Sequence, residues 1–158
     1  MQLFPGLKKR TDGGKMLYHL IYRSKAKGPV NWESLKNIMQ QSQDKNRASD
    51  LTGMLFYSGQ IFLQILEGDQ AQINRVYSDI CKDDRHENIE LLVFCPINKR
   101  HFSNWNMRLI QYSSIDPNMQ EFMTRKYVVM DQAVQVPSDH YAAFSLLLDI
   151  YTMDQMPV

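Results

Sequence analysis

The sequence predicts an α+β fold, and three observations predict it. Short strand-like runs alternate apolar and polar residues, amphipathic helical stretches separate them, and two further helical stretches follow the last strand. With 158 residues the chain is long enough for one domain with a hydrophobic core.

Residues 1–15 (MQLFPGLKKRTDGGK) read as a flexible N-terminal extension, broken by Pro5, Gly6, Gly13 and Gly14. Leu17 to Ser24 is rich in strand formers, and Lys25 to Val30 is a loop containing Gly28 and Pro29. Asn31 caps a helix expected to run to about Gln43, with Trp32, Leu35, Ile38, Met39 and Ser42 on one face. Asp44 to Asp50 is polar and aperiodic, hence a loop. Gly53 to Tyr57 and Ile61 to Glu67 form a hairpin around Ser58-Gly59-Gln60. Gly68 and Asp69 end that strand and cap a second helix, Gln70 to Lys82, whose apolar face is Ile73, Val76, Tyr77 and Ile80.

Asp83 to Asn88 reads as a polar loop, and Leu91 to Cys95 as a short buried strand. Trp105 to Gln111 is the last strand. The order βαββαββ suggests a ferredoxin-like sheet with two helices on one face. Beyond it, Pro117 to Lys126 is a short helix, and Ser138 or Asp139 caps a longer one through Thr152. Its stripe of Tyr141, Phe144, Leu147, Leu148 and Tyr151 would cover the second face of the sheet. The domain division is therefore 1–15, 16–111 and a C-terminal helical cap at 112–158.

Composition excludes several functions. The net charge is +1 with scattered cations, which argues against nucleic acid as a partner. Cys81 and Cys95 lie in apolar stretches without metal-like spacing and fit a reducing compartment. With no apolar run near the roughly 20 residues of a membrane span and no signal sequence, a cytoplasmic protein away from membranes is expected. Phosphate-loop, dinucleotide, zinc-protease and serine-hydrolase motifs are absent, so no enzyme is expected. The histidines (His19, His86, His101, His140) lack the spacing of metal ligands.

One residue breaks the pattern. Gln64 shares a strand face with Phe62 and Leu66, and a buried amide without partners costs a few kcal/mol, order of magnitude. A glutamine satisfied by backbone at a sheet edge would account for it.

Five strings, in register, carry a family resemblance. Phe62 to Gly68 (FLQILEG) resembles the F-x-Q-x-L-E-G segment of BLUF (blue light using FAD) domains. Leu20 to Ser24 is similar to their first strand, with its light-active tyrosine at Tyr22. Asn46, seven residues before Gly53, stands where the family keeps a flavin-binding asparagine. Asp83-Asp84-Arg85-His86 resembles the D-x-R-H stretch, and Trp105-Asn106-Met107 the W-x-M motif. The resemblance covers residues 16–111.

What it implies is a photoreceptor binding FAD non-covalently, with FMN also possible. Tyr22 and Gln64 would be the photochemical pair, and Trp105 and Met107, two apart on the last strand and so on one face, would pass the change onward. Ile38 and Ile80 would sandwich the ring, and Asn46 would pair with its N3–H and C4=O edge. Lys45 would reach a phosphate, Arg85 the C2=O edge with His86 along the same rim, and Asp83 a flavin or ribityl group. Lys45 and Asp79 depart from the residues other members carry at these places. The implied partners are another copy of the chain, giving a homo-oligomer, and a downstream signalling protein of unknown identity. The alternative is a light-insensitive flavin-binding interaction module, which would need Tyr22 or Gln64 replaced; both are present.

Overall fold

The structure, a computed structural model, describes residues 11–12 and 15–156. The chain runs β1 (Thr11–Asp12), β2 (Lys15–Ala26), α1 (Trp32–Ala48), β3 (Thr52–Ser58), β4 (Ile61–Asp69), α2 (Gln70–Lys82), β5 (His86–Pro96) and β6 (Arg108–Gln111). A 3-10 turn (Tyr112–Ser114), α3 (Pro117–Lys126), a small hairpin of β7 (Val129–Met130) and β8 (Ala133–Val134), and α4 (His140–Asp154) follow. The main sheet has the order β5-β2-β4-β3-β6, with β1 folded back on the start of β2. Its pairs are antiparallel except β3 with β6. This is the ferredoxin-like order, with one parallel edge strand added.

Alternation along the strands divides the core in two. Leu20, Leu55 and Leu66 pack with Met39 of α1 and Ile73 of α2. Ile21, Met54, Leu63 and Ile65 point the other way, onto Met119 and Met123 of α3 and Leu146, Leu147 and Ile150 of α4. The C-terminal helices thus cover the second face, as expected.

Several local expectations are corrected. Thr11 and Asp12 pair with Met16 and Lys15, so this part of the expected extension is a short strand; residues 1–10 and 13–14 lie outside the described residues. Helix α1 does not stop at Gln43 but continues through Asp44–Ala48. No glycine or proline interrupts it there, and Lys45 and Arg47 in its last turn face the negative end of the helix dipole. Asp50 then takes a left-handed conformation (φ 54°) that turns the chain into β3. Strand β5 already begins at His86, where Asn88 (φ 52°) accompanies a bulge opposite Arg23–Lys25. Among the described residues β5 pairs with β2 alone, so it is an edge strand rather than a buried one, and Leu91 is 50% exposed.

Helix α4 buries Ala143, Leu146, Leu147, Ile150 and Tyr151, the i, i+3, i+4, i+7, i+8 pattern, and leaves Tyr141 74% exposed. So many of its residues are apolar that sequence alone leaves the rotation of the stripe open. Asp139, not Ser138, is its cap, accepting from Ala142 N at 2.9 Å. Cys81 is exposed and Cys95 half-buried, so neither is a core thiol. Among the described residues no helix is long and apolar enough to cross a membrane.

Two tight places hold the sheet together. Gly59 (φ 55°) and Gln60 (φ 71°) close the β3–β4 hairpin as a two-residue turn with Ser58 opposite Ile61. Gly53 (φ 151°) brings its backbone so near β4 that a Cβ there would lie 1.9 Å from Ile65 O. Gly53→Ala should therefore cost more than about 2 kcal/mol in urea unfolding; a loss within about 0.5 kcal/mol would contradict this packing.

His19 lies on the α4 side of β2, its ring 5.8 Å from that of Phe144, with Nδ1 buried and without a hydrogen-bond partner among the described residues. Burial, with His101 and His140 nearby, holds its pKa down at about 4. Its folded value is below the unfolded one, so the unfolded chain binds more protons below pH 6.5, and stability falls as pH drops from 6.5 towards 4. His19→Leu should shrink the loss of melting temperature between pH 7 and pH 5. An equal loss in both proteins would show that His19 is not its source.

Candidate functional site

Between α1, α2 and the sheet lies a cavity of about 420 Å³, within the range of small-molecule sites. Its floor is the β2–β4–β3 centre of the sheet, where Tyr22, Gln64 and Leu55 stand side by side in register. Its walls are apolar side chains of the two helices, among them Leu35 and Ile38 from α1 and Val76 and Ile80 from α2. A planar, largely apolar ligand with a polar edge suits this shape. The polar groups gather at the floor and rim.

Gln64 is not at a sheet edge, and backbone does not satisfy it. It is 6% exposed on β4, which has β2 on one side and β3 on the other. Tyr22 Oη donates a short hydrogen bond to Gln64 Oε1, and Gln64 Nε2 donates to Met107 Sδ at 3.2 Å. Burial pushes the Tyr22 phenol well above its usual ionisation range, so it is neutral. The Tyr77 ring, 5.7 Å from Tyr22, is another aromatic neighbour that sequence periodicity showed as simple helix packing.

Asn46 lies in the last turn of α1 rather than in a loop, and it is buried. Its Nδ2 donates to Asn106 O at 3.0 Å, and one turn earlier Gln43 Nε2 donates to Met107 O at 2.6 Å. Gln43 was no candidate in the sequence, where it is the last residue of the expected helix, although it stands four residues after Met39 on the inner face. Lys45 borders the cavity with an exposed side chain, as does Lys27.

Asp83, Arg85 and His86 come to the same rim from the end of α2 and the start of β5. Asp83 accepts from Arg85 N and from Arg85 Nε at 3.0 and 2.8 Å, and pairs with its terminal nitrogen. These bonds hold the Asp83 carboxyl down at about 2. The two residues expected to meet a ligand separately thus meet each other. His86 Nε2 lies 2.8 Å from Ile80 O, which can only accept, so Nε2 carries the proton; in the neutral ring Nδ1 then accepts from Ser24 Oγ at 2.7 Å.

The cavity brings together Tyr22, Ile38, Lys45, Asn46, Gln64, Ile80, Asp83, Arg85, His86 and Met107. Trp105 is elsewhere. The last strand starts only at Arg108, so Trp105 and Met107 precede it and do not share a face. Met107 belongs to the helix-side core, while Trp105 packs on Tyr151 of α4 at 4.6 Å between ring centroids, with the Arg108 guanidinium 4.9 Å from its ring. The strand-like sequence around it concealed this twist, because the segment pairs with no neighbouring strand.

Comparison with known proteins agrees with this architecture. Residues 17–108 match the family model of BLUF domains, described as sensors of blue-light using FAD. The blue light- and temperature-regulated antirepressor BluF of Escherichia coli K12 is 35% identical over 94 residues, 60% of this chain and 23% of that protein. The photoactivated adenylate cyclase subunit alpha of Euglena gracilis is 30% identical over 94 residues, 60% of this chain and 9% of its own. The chain thus spans about a quarter or less of these curated relatives. Among solved structures, BlsA in its ground state superposes with a TM-score of 0.61 at 29% identity, covering 70% of this chain and 72% of BlsA. A bacterial light-regulated adenylyl cyclase superposes with a TM-score of 0.65 at 33% identity over 70% of this chain and 32% of its own. The chain belongs to the BLUF family, the flavin-binding sensors of blue light.

Proposed function

We propose that FAD lies in the cavity between α1 and α2 and that the light switch is the Tyr22–Gln64 pair. The observation that carries this reading is the buried hydrogen bond from Tyr22 Oη to Gln64 Oε1 on the cavity floor. Blue light makes a bound flavin a strong one-electron oxidant. Tyr22 is the donor at hand: its neutral phenol becomes a strong acid on losing an electron, and its proton already points at Gln64 Oε1. Gln64 must then re-pair its amide among Tyr22, Met107 and the cavity. When electron and proton return to Tyr22, no covalent bond has changed, and only the pairing of Gln64 differs.

The other residues bind and orient. Asn46 Oδ1 and its second N–H suit an imide edge with one donor and one acceptor. Ile38 and Ile80 close on the two ring faces, and Lys27 and Lys45 at the rim suit phosphate. Arg85 and Asp83, as a pair, close the rim beside His86. The family's description as sensors using FAD favours FAD; FMN presents the same ring and first phosphate.

The output in this reading is altered binding rather than catalysis. Trp105 couples the cavity to α4, so α3, α4 and the hairpin between them are the surface that meets another copy or a downstream signalling protein. The E. coli relative is named as an antirepressor, which suits an output of this kind. The proposed setting is the cytoplasm, where exposed Cys81 stays reduced.

The absorption spectrum of the purified protein before and after blue light tests the reading. A flavin spectrum that shifts to the red and returns in the dark is expected, and chromatography of the extracted cofactor should give FAD. A protein that cannot be loaded with flavin, or a loaded one that never shifts, would overturn it. Tyr22→Phe should keep flavin bound and lose the reversible shift; normal cycling in that variant would remove Tyr22 as the donor.

A further inference from the structure

Trp105, Asn106 and Met107 lie between β5 and β6, just before the paired register of β6 with β3. Each of their carbonyls is taken by a different residue. Gly53 N donates to Trp105 O at 2.8 Å, Asn46 Nδ2 to Asn106 O at 3.0 Å, and Gln43 Nε2 to Met107 O at 2.6 Å. The Met107 side chain is buried, and its sulfur receives Gln64 Nε2. Thioether sulfur is a weak acceptor, so this bond holds Gln64 only if the sulfur is kept in place. The group closest to doing that is Gln43, bonded to the carbonyl of Met107 itself. Gln43 and Asn46, three apart on α1, address neighbouring peptides from one face of the helix.

We propose that Gln43 is a positioning residue of the light response: through the Met107 carbonyl it fixes the thioether where the Gln64 amide must return. This rests on the reading of Tyr22 and Gln64 above. Asn46 has a ligand edge to serve as well as Asn106 O, whereas Gln43 serves the Met107 segment. When the amide re-pairs in the light, Met107 stays anchored, and recovery in the dark finds its partner ready. Without the anchor the thioether wanders, and the red-shifted form persists.

The test is the dark-recovery rate after a blue pulse in three variants. Gln43→Glu and Gln43→Met keep the length but lose the donor, and Gln43→Lys keeps a donor. Recovery should slow at least about threefold in the first two and stay within about twofold of the parent in the third, as expected for loss of one hydrogen bond. Unchanged rates in Gln43→Glu and Gln43→Met would overturn the proposal. So would equal slowing in all three, which would mark a packing effect. Amide hydrogen exchange in the flavin-free protein separates this from the functional reading. Residues 106–109 should exchange faster in Gln43→Glu than in Gln43→Lys, whether or not the loaded protein responds to light; equal exchange would show that Gln43 does not hold the segment. A parent that binds flavin but never shifts would refute the functional reading, and the light-response role of Gln43 with it.

Discussion

Gln64 occupies the middle of a sheet, where its backbone is committed to β2 and β3. Its side-chain amide must therefore be met by side chains, since leaving one such group unpaired costs about 1–3 kcal/mol. Tyr22 meets the oxygen from the adjacent strand, in register. On the other side the residue in register is Leu55, which offers no acceptor, and Met107 meets the nitrogen from an irregular segment at the edge of β3. The segment lies just before the β3–β6 register and is held by the backbone of Gly53 and the side chains of Asn46 and Gln43.

A second buried polar group secures the same segment from behind. Glu67 is 0% exposed, and burial raises its pKa. Its carboxyl oxygens accept from His101 N at 2.9 and 3.0 Å and from Phe102 N at 2.6 Å, which partly offsets the cost of burial. Arg100 adds bonds to Thr52 Oγ1, Glu67 O and Asp50 O. The loop is thus fixed at residues 100–102 and again at 105–107, where it enters β6. At the second point Trp105 and Met107 face opposite sides.

Much of this was legible in the sequence because local chemistry and tertiary role agree. Asp69 caps α2, Gly59 turns the hairpin, and Gln64 breaks an apolar face, each visible from its neighbours alone. The misread parts are those where long-range pairing decides. Polar residues 44–48 look like a loop until Asn46 is seen turned inward, and Leu91–Cys95 looks buried until the sheet order puts it at an edge. Trp105 and Met107 alternate like strand residues, and their two-apart spacing said nothing of the missing ladder. Gln43 and Glu67 escaped as ligands of backbone, because a carbonyl or an N–H leaves no signature in side-chain patterns.

The division of the core by the sheet has a consequence for how such a protein can diverge. The cavity floor around Tyr22 and the α3–α4 helices belong to two separate hydrophobic clusters, and the Trp105–Met107 segment joins them at one edge. On the proposed reading, substitutions on the outer surfaces of α3 and α4 would change the partner without altering the polar geometry of the cavity floor. Conversely, cavity residues could then change without rebuilding the α3–α4 face. A sensor built this way is a transferable input, whose inheritance constrains one edge crossing far more than it constrains the output.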